Sequence, residues 1–423
     1  MAKRGMKTVR IGVVGARRGM SFAVGATDLV GMKLVALCEQ DDRKRKDASA
    51  RLAADGRKVA AYSDYARFLD HDMDAVVLAN YFTDHTPFAV RALAAGKHVM
   101  SETAACMTLA EGVALVEAVE KSGLAYMFAE NYPYTAFNQE MRRIYRSGKI
   151  GEFTYGEGEY VHPDHADFWN SISPGVDHWR NWLPATYYCT HSMGPMMFIT
   201  DTRPVKVNGF VIPYRRDDPV ARRRPVRNDA ASVIVCRMDS GAIVKCIQYF
   251  LRGHGSWVRI HGSLGQMENL RSGNENMLRL RREQYHEKRT GPVETIYLPD
   301  FPEHAEEARR AGHGGGDFFM NYHFTAAIRT GKPPFMDVYR GVAMSIVGIL
   351  AYRSALDDSN TVDVPDFRKK SERDKYRADD WNPDPTKKRP TDPYPSILGE
   401  VKPTREQLAY ARKIWKSVGY RGK

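Results

Sequence analysis

Up to about residue 130, short apolar runs alternate with segments whose apolar positions recur every three or four residues. The short runs are Val9-Arg-Ile-Gly-Val-Val14, Leu34-Val-Ala-Leu-Cys38, Asp74-Ala-Val-Val-Leu-Ala79, His98-Val-Met100 and Ala125-Tyr-Met-Phe128. Thr86 to Ala95 and Leu109 to Ser122 carry the helical spacing. Fully apolar strands separated by amphipathic helices predict a parallel sheet covered on both faces. Gly96 before Lys97 and His98 predicts a helix end turning into the next strand, since glycine tolerates the left-handed conformation there.

Past residue 131 the period changes. Phe137 to Ser147 predicts a helix, and the runs that follow are longer and alternate: Phe153 to Val161, Val205 to Ile212, Ala231 to Met238, Ala242 to Leu251, Trp257 to Gly262. These predict strands of a mostly antiparallel sheet. Helical spacing returns at Asp317 to Arg329 and Val338 to Ala355. From Lys369 the chain is rich in Pro, Lys, Arg and Asp. Asn382 to Tyr394 is the stretch least able to fold alone, and one helix is predicted from Thr404 to Val418. The fold class is therefore α/β. A doubly wound Rossmann sheet is expected over 1–130, an α/β domain with a large, mostly antiparallel open sheet over 131–368, and a surface-wrapping extension over 369–423.

Length and composition agree with that division. The 423 residues are too many for one ordinary domain, and 43% hydrophobic content is enough for real cores, which excludes wholesale disorder. No apolar run reaches the ~18 residues of a membrane span. The basic start, Met1 to Arg10, leads into no long apolar region, so no secretory signal is expected. Five scattered cysteines without a C-x-x-C pair read as reduced thiols of a cytoplasmic protein. The net charge of +12 gathers at Arg43 to Lys46, Arg215 to Arg227 and Lys369 to Arg389, without helix-turn-helix or zinc-finger spacing. A solvated surface, or a field that draws in anionic substrates, is expected in place of nucleic acid.

Candidate chemistry begins after the first strand. Gly12-Val-Val-Gly15-Ala-Arg-Arg-Gly19-Met20 stands where a dinucleotide loop belongs, with glycines that let the backbone approach a pyrophosphate. Counted from Gly15, Arg17 and Met20 occupy the positions of the second and third glycines, so a ligand-free glycine turn is the alternative. Gly15, Arg17, Arg18 and Gly19 are the candidate contacts. Glu39 ends the second strand 24 positions beyond Gly15, close to the ~20 expected of an acid that grips ribose hydroxyls. Its charge repels a 2′-phosphate and favours NAD over NADP. Neighbouring Arg43 and Lys44 work against that preference without reversing it. The bland reading of Glu39 is a strand-ending acid in solvent. His162-Pro-Asp-His165-Ala-Asp167 holds metal-type ligands at irregular spacing, so a polar substrate loop is expected and no metal.

Ala79-Asn80-Tyr-Phe-Thr-Asp-His85, followed by Ala94-Ala-Gly-Lys-His-Val-Met-Ser-Glu102, resembles the glucose–fructose oxidoreductase/inositol dehydrogenase (Gfo/Idh/MocA) family over roughly residues 8 to 365. Where that family has E-K-P, this chain reads Glu102-Thr103-Ala104. The lysine helps move the hydroxyl proton in the family's sugar dehydrogenases, and threonine cannot titrate in that range. Tyr187 replaces a common aspartate four residues before His191. Tyr187-Tyr188-Cys-Thr-His191-Ser-Met-Gly-Pro195, Glu102 to Ala105, Glu157-Gly-Glu-Tyr160-Val-His162, His313-Gly-Gly-Gly-Asp317 and Met336-Asp-Val-Tyr339 resemble the family's NAD-dependent glycosidase branch, the α-N-acetylgalactosaminidase type.

The resemblance implies tightly held NAD and a small carbohydrate substrate. It implies transient oxidation at C3, elimination across C1–C2, water addition and re-reduction. Tyr160 is then the base for the C2 proton, His191 handles the hydroxyl proton, and Glu102 lines the reaction crevice. Asn80, His85, Glu102 and Asn131 join the cofactor contacts; His162, Trp179, Arg180, Tyr187, Tyr188 and Asp317 become substrate contacts. The bland readings are a half-buried sheet residue for Tyr160, a backbone-bonded helix entry for His191, and capping acids for Glu102 and Asp317. Asp337 is read as structural. Two other functions stay open: an NAD-linked sugar or polyol dehydrogenase, and a non-catalytic NAD-bound homologue. A homo-oligomer is expected, the open sheet of the second domain being free to pair with another copy.

Overall fold

A computed structural model describes residues 8–215, 217–253, 255–285 and 291–422. The basic start from Met1 to Lys7, and Arg216 within the second basic cluster, lie outside the described residues. The chain divides into two compact units. The first contains Met1–Ile144, Leu298–Ser345 and Asp366–Ala378, and the second Tyr145–Tyr297, Ile346–Pro365 and Asp379–Lys423.

In the first unit, β1 (Val9–Val14), β2 (Met32–Cys38), β3 (Ala60–Tyr62), β4 (Ala75–Leu78), β5 (His98–Ser101) and β6 (Tyr126–Phe128) form one sheet in the order β3-β2-β1-β4-β5-β6. Every pairing is parallel. The apolar runs explain this: β4 and β6 are buried along their whole length, as strands covered on both faces must be. The helix Leu109–Ser122 falls where its spacing predicts, with the Thr108 hydroxyl accepting from Glu111 N at 3.1 Å. β3 lies in a stretch the periodicity does not single out. It is only three residues long and continues the sheet through Ala36↔Ala60 to Cys38↔Tyr62. Part of the C-terminal region also belongs to this unit, where Arg377 clamps Glu117 at 2.6 and 2.7 Å.

The second unit holds β7 (Phe153–Val161), β8 (Pro204–Ile212), β9 (Ala231–Met238), β10 (Ile243–Tyr249), β11 (Gly255–Gly262), β12 (Gly265–Asn269), β13 (Leu278–Arg282), β14 (Glu294–Tyr297) and β15 (Val362–Asp363). Their order is β14-β13-β12-β11-β7-β10-β9-β8-β15. Only the β7–β10 pairing is parallel; the others are antiparallel. β7 sets the two faces of this sheet. Glu157 points to a charged face, paired with Lys245 at 2.5 Å and Arg259 at 2.8 Å. Gly158 points to the opposite one, against the helix Thr190–Thr200. A Cβ on Gly158 would lie 2.0 Å from Ser192 O, so only glycine admits the helix this close. Tyr160 and His162 follow Gly158 at two-residue steps and share its face.

The rest of the C-terminal region belongs to the second unit. The helix Arg405–Ser417 starts with a capping box between Thr404 and Gln407, and its Tyr410 donates to Asp167 at 2.6 Å. Asn382 to Tyr394 contains no helix or strand. It is fixed instead by Arg389 on Asp380 and Asp392, and by Tyr352 donating to Tyr394 O at 2.6 Å. Among the described residues, no helix is long and apolar enough to cross a membrane.

Candidate active site

At the C-terminal ends of the parallel strands, where open α/β sheets bind ligands, the first unit gathers most of the predicted cofactor contacts. Gly15 turns at φ +93°, and a Cβ there would sit 2.4 Å from Ala79 O. The loop between β1 and the helix Gly19–Gly25 can close only with glycine at that point. Glu39 reaches back from the end of β2 and accepts from Ala16 N and Asp41 N, both at 2.9 Å. The acid thus holds the loop while ending the strand. Arg17 and Arg43 are exposed.

Asn80, just past β4, has buried amide nitrogen and oxygen atoms without a hydrogen-bond partner among the described residues, and Asn131 Oδ1, past β6, is in the same position. Buried amides are ordinarily paired. A donor and acceptors in reserve beside a positive-φ glycine fit the phosphates, sugars and amide of a dinucleotide. His85 is buried, and its Nδ1–H donates to Ala104 O at 2.9 Å. Burial pushes this imidazole below its ordinary pKa. His85 therefore pins the segment that follows Glu102.

Arg18 organises the acids of this unit. Its Nε donates to Glu102 at 2.6 Å, while Nη1 and Nη2 donate to the two oxygens of Asp317 at 3.0 and 2.7 Å. His313 Nδ1 adds a 2.9 Å hydrogen bond to Asp317, one helical turn before it. Burial pushes the Asp317 carboxyl up, but the bonds from His313 and Arg18 outweigh that and hold it at about 2. Asp317 is thus the buried partner of Arg18 in the first unit, standing in the first turn of the helix Gly316–Thr330. The spacing of His313 and Asp317 was visible in the sequence; the pairing of both acids with Arg18 was not.

The second unit gathers most of the predicted substrate contacts. Tyr160 and His191 stand with ring centroids 4.5 Å apart. Tyr188 stacks on Tyr160 at 5.8 Å and meets His191 edge-on at 5.5 Å. His162 lies 5.7 Å from Tyr160, and burial lowers its pKa, favouring the neutral ring. Trp179 stacks on Tyr188 at 6.4 Å, and Arg180 lies over Trp179 at 4.2 Å with Nη1 donating to Tyr188 Oη at 3.3 Å. All six side chains are half-buried and so accessible.

Tyr187 is not part of this group. It is 2% exposed and packs edge-on against Tyr352 at 6.4 Å, because the turn Ala185–Tyr188 sends neighbouring side chains in different directions. Trp169 belongs to the group and was not singled out from sequence. It meets His162 at 5.3 Å from the short helix Ala166–Ile172, whose pattern is too brief to reveal a face.

Comparison with known proteins matches two parts of the chain. Residues 9–130 match the oxidoreductase family with the NAD-binding Rossmann fold, Gfo/Idh/MocA, and residues 230–373 match the glycosyl hydrolase 109 C-terminal domain. A glycosyl hydrolase family 109 protein of Saccharopolyspora erythraea is 28% identical over 397 residues, which is 85% of this chain and 83% of its own length. The α-N-acetylgalactosaminidase of Shewanella oneidensis is 24% identical, covering 86% of this chain and 85% of its own. Levoglucosan dehydrogenase in complex with NADH and L-sorbose shares the fold with a TM-score of 0.73 at 20% identity, over 85% of this chain and 100% of that one. An oxidoreductase domain protein from Kribbella flavida gives 0.71 at 22%, with the same coverage. The chain pairs the NAD-binding Rossmann domain of the Gfo/Idh/MocA oxidoreductases, over residues 9–130, with the C-terminal domain of glycosyl hydrolase family 109, over residues 230–373.

Proposed function

We propose that the protein hydrolyses a glycosidic bond of a small carbohydrate by a redox-neutral route of oxidation, elimination, hydration and re-reduction. The observation that carries this reading is the contact of Tyr160 with His191 at 4.5 Å, two proton-transfer groups on the accessible side of one aromatic group. Direct glycoside hydrolysis uses a pair of carboxyl groups. Among the described residues, the rings shown against Tyr160 are a phenol and two imidazoles, with the Arg180 guanidinium near enough to act on it. The glycosidase names of the family 109 relatives support the same reading.

The Gly15 turn, Glu39, Asn80 and Asn131 would hold the dinucleotide. NAD⁺ held there would supply a reversible hydride acceptor for the sugar carbon. His191 takes the proton of the C3 hydroxyl as that carbon becomes a ketone. The ketone acidifies the C2–H bond, and Tyr160 removes its proton. The electron pair released forms the C1–C2 double bond while the C1–O bond breaks, and the leaving oxygen takes the proton that Tyr160 has just received. Water then adds its oxygen to C1 while one of its protons passes through Tyr160 to C2, and His191 returns its proton to the C3 oxygen. Sugar and leaving alcohol are the products, with no net change of redox state. Thr103, in the position of the family's lysine, does not compete for these protons.

The test is a set of aryl glycosides incubated with and without NAD⁺ in D₂O, following aryl release, absorbance at the NADH band and the product's isotope content. Aryl release with deuterium at C2 and no accumulating NADH is expected. NADH accumulating in step with product would identify a dehydrogenase. Bound NAD⁺ with no turnover would identify a non-catalytic homologue.

A further inference from the structure

We infer that the carbohydrate carries an anionic substituent, a carboxylate or a sulfate, and that Arg180 reads its charge. This rests on the carbohydrate reading above, but its argument is independent of the reaction. The guanidinium of Arg180 is walled by aromatic rings, with Trp179, Trp169 and Tyr188 at 4.2, 5.9 and 6.0 Å. It donates to the Tyr188 hydroxyl, and among the described residues no carboxylate pairs with it.

A second guanidinium shares the Trp169 indole. Arg224 lies 5.2 Å from that ring and 4.7 Å from Phe250. It is 0% exposed, its polar neighbour is the uncharged Tyr214 hydroxyl, and none of its three nitrogens makes a hydrogen bond of normal geometry among the described residues. Trp169 Nε1, a donor only, is buried and unpartnered as well.

The acids on the surrounding segments are committed elsewhere. Asp167 accepts from Tyr410 at 2.6 Å, Asp177 pairs with Arg227 at 2.8 Å, and Asp218 pairs with Arg252 at 2.5 Å. Asp164 accepts from His165 N at 2.7 Å, and its charge acts on His162. Among the described residues, two cations thus meet at one indole with donors in surplus and no acceptor charge. Aromatic faces offset only part of the cost of burying such cations. Sugar hydroxyls could satisfy the donors but not the charge. An anion on the ligand does both, through planar, two-pronged contacts that suit carboxylate and sulfate oxygens. Arg180 is half-buried and can touch the ligand, while enclosed Arg224 contributes its field.

Calorimetric titration of the NAD⁺-loaded protein tests this with a neutral methyl hexoside, the matching methyl hexuronoside, its 6-O-sulfated counterpart and sodium sulfate. One anionic glycoside is expected to bind at least about tenfold more tightly than the neutral one. That preference should shrink at high salt, collapse in Arg180→Gln and partly survive in Arg180→Lys, with the far-UV spectrum checking that both variants fold. Neutral and anionic glycosides bound equally by the native protein would overturn the inference and leave the carbohydrate reading standing. Sulfate bound as tightly as the sulfated glycoside would also overturn it, the seat then belonging to a free ion. Binding of NAD⁺ but of no glycoside would remove the carbohydrate reading and this inference together.

Discussion

Replacing Asp317 with asparagine takes one negative charge out of the group that holds Arg18, and the cost can be worked from the fold. Asp317 is 4% exposed, and its oxygens receive two hydrogen bonds from Arg18 and one from His313. Burial raises its pKa, yet these partners bring it from the ordinary 3.8 to about 2. A carboxyl whose folded pKa is depressed adds stability that is complete above the unfolded value near 4 and is lost as pH falls through the folded value near 2. At ~1.4 kcal/mol for each tenfold change in proton affinity, that drop is worth ~2 kcal/mol. Asp317→Asn should therefore weaken the first unit by ~2 kcal/mol at pH 7, and the gap between native and variant should close between about pH 4 and pH 2. All six tryptophans lie in the second unit, so their fluorescence is a poor reporter of this change. Amide hydrogen exchange in peptides spanning β1 and β4 reads the first unit directly. A gap below ~0.5 kcal/mol at pH 7, or one that persists undiminished to pH 2.5, would refute the reasoning.

Three further outcomes are expected. Tyr160→Phe should lower kcat on the best aryl glycoside by at least about 100-fold, with NAD⁺ affinity by calorimetry unaltered; full activity would remove Tyr160 as the base. Gly158→Ala, which places a Cβ 2.0 Å from Ser192 O, should cost ~1–3 kcal/mol as the helix Thr190–Thr200 is pushed off β7. Thermal unfolding followed by tryptophan fluorescence reads that loss, and an unchanged midpoint would mean the helix shifts freely. Gly15→Ala meets both a φ of +93° and a 2.4 Å approach to Ala79 O, so NAD⁺ affinity should fall by at least about tenfold; titration with NAD⁺ is the check, and native affinity would place the dinucleotide elsewhere.

What the sequence made legible follows from the range over which each feature is determined. β1 and β7 begin and end where the apolar pattern says, because a strand buried on one or both faces writes its period into consecutive residues. β13, Leu278-Arg-Leu-Arg-Arg282, carries three arginines and lies one strand in from the sheet edge, where charge is tolerated; its alternation is buried in a basic stretch that reads as surface. β15 is two residues long and exists only through its pairing with Lys206 and Val207. The candidate site divides in the same way. Tyr160 meets His191 because a glycine two residues earlier on the same strand lets a helix come within contact, and strand parity does the rest. Motif spacing captures that kind of determinant. Arg18 with Asp317 joins positions 299 apart, and Arg224 with Arg180 meets only through an indole from a third segment. No local period encodes such meetings. They are fixed by tertiary packing, and charge is where packing leaves its clearest mark: Arg18 is matched by Glu102 and Asp317, whereas among the described residues Arg180 and Arg224 are matched by neither acid nor backbone. The contrast makes the imbalance at Trp169 chemically informative, since the same fold that closes one cationic group with carboxylates leaves the other for a ligand to complete.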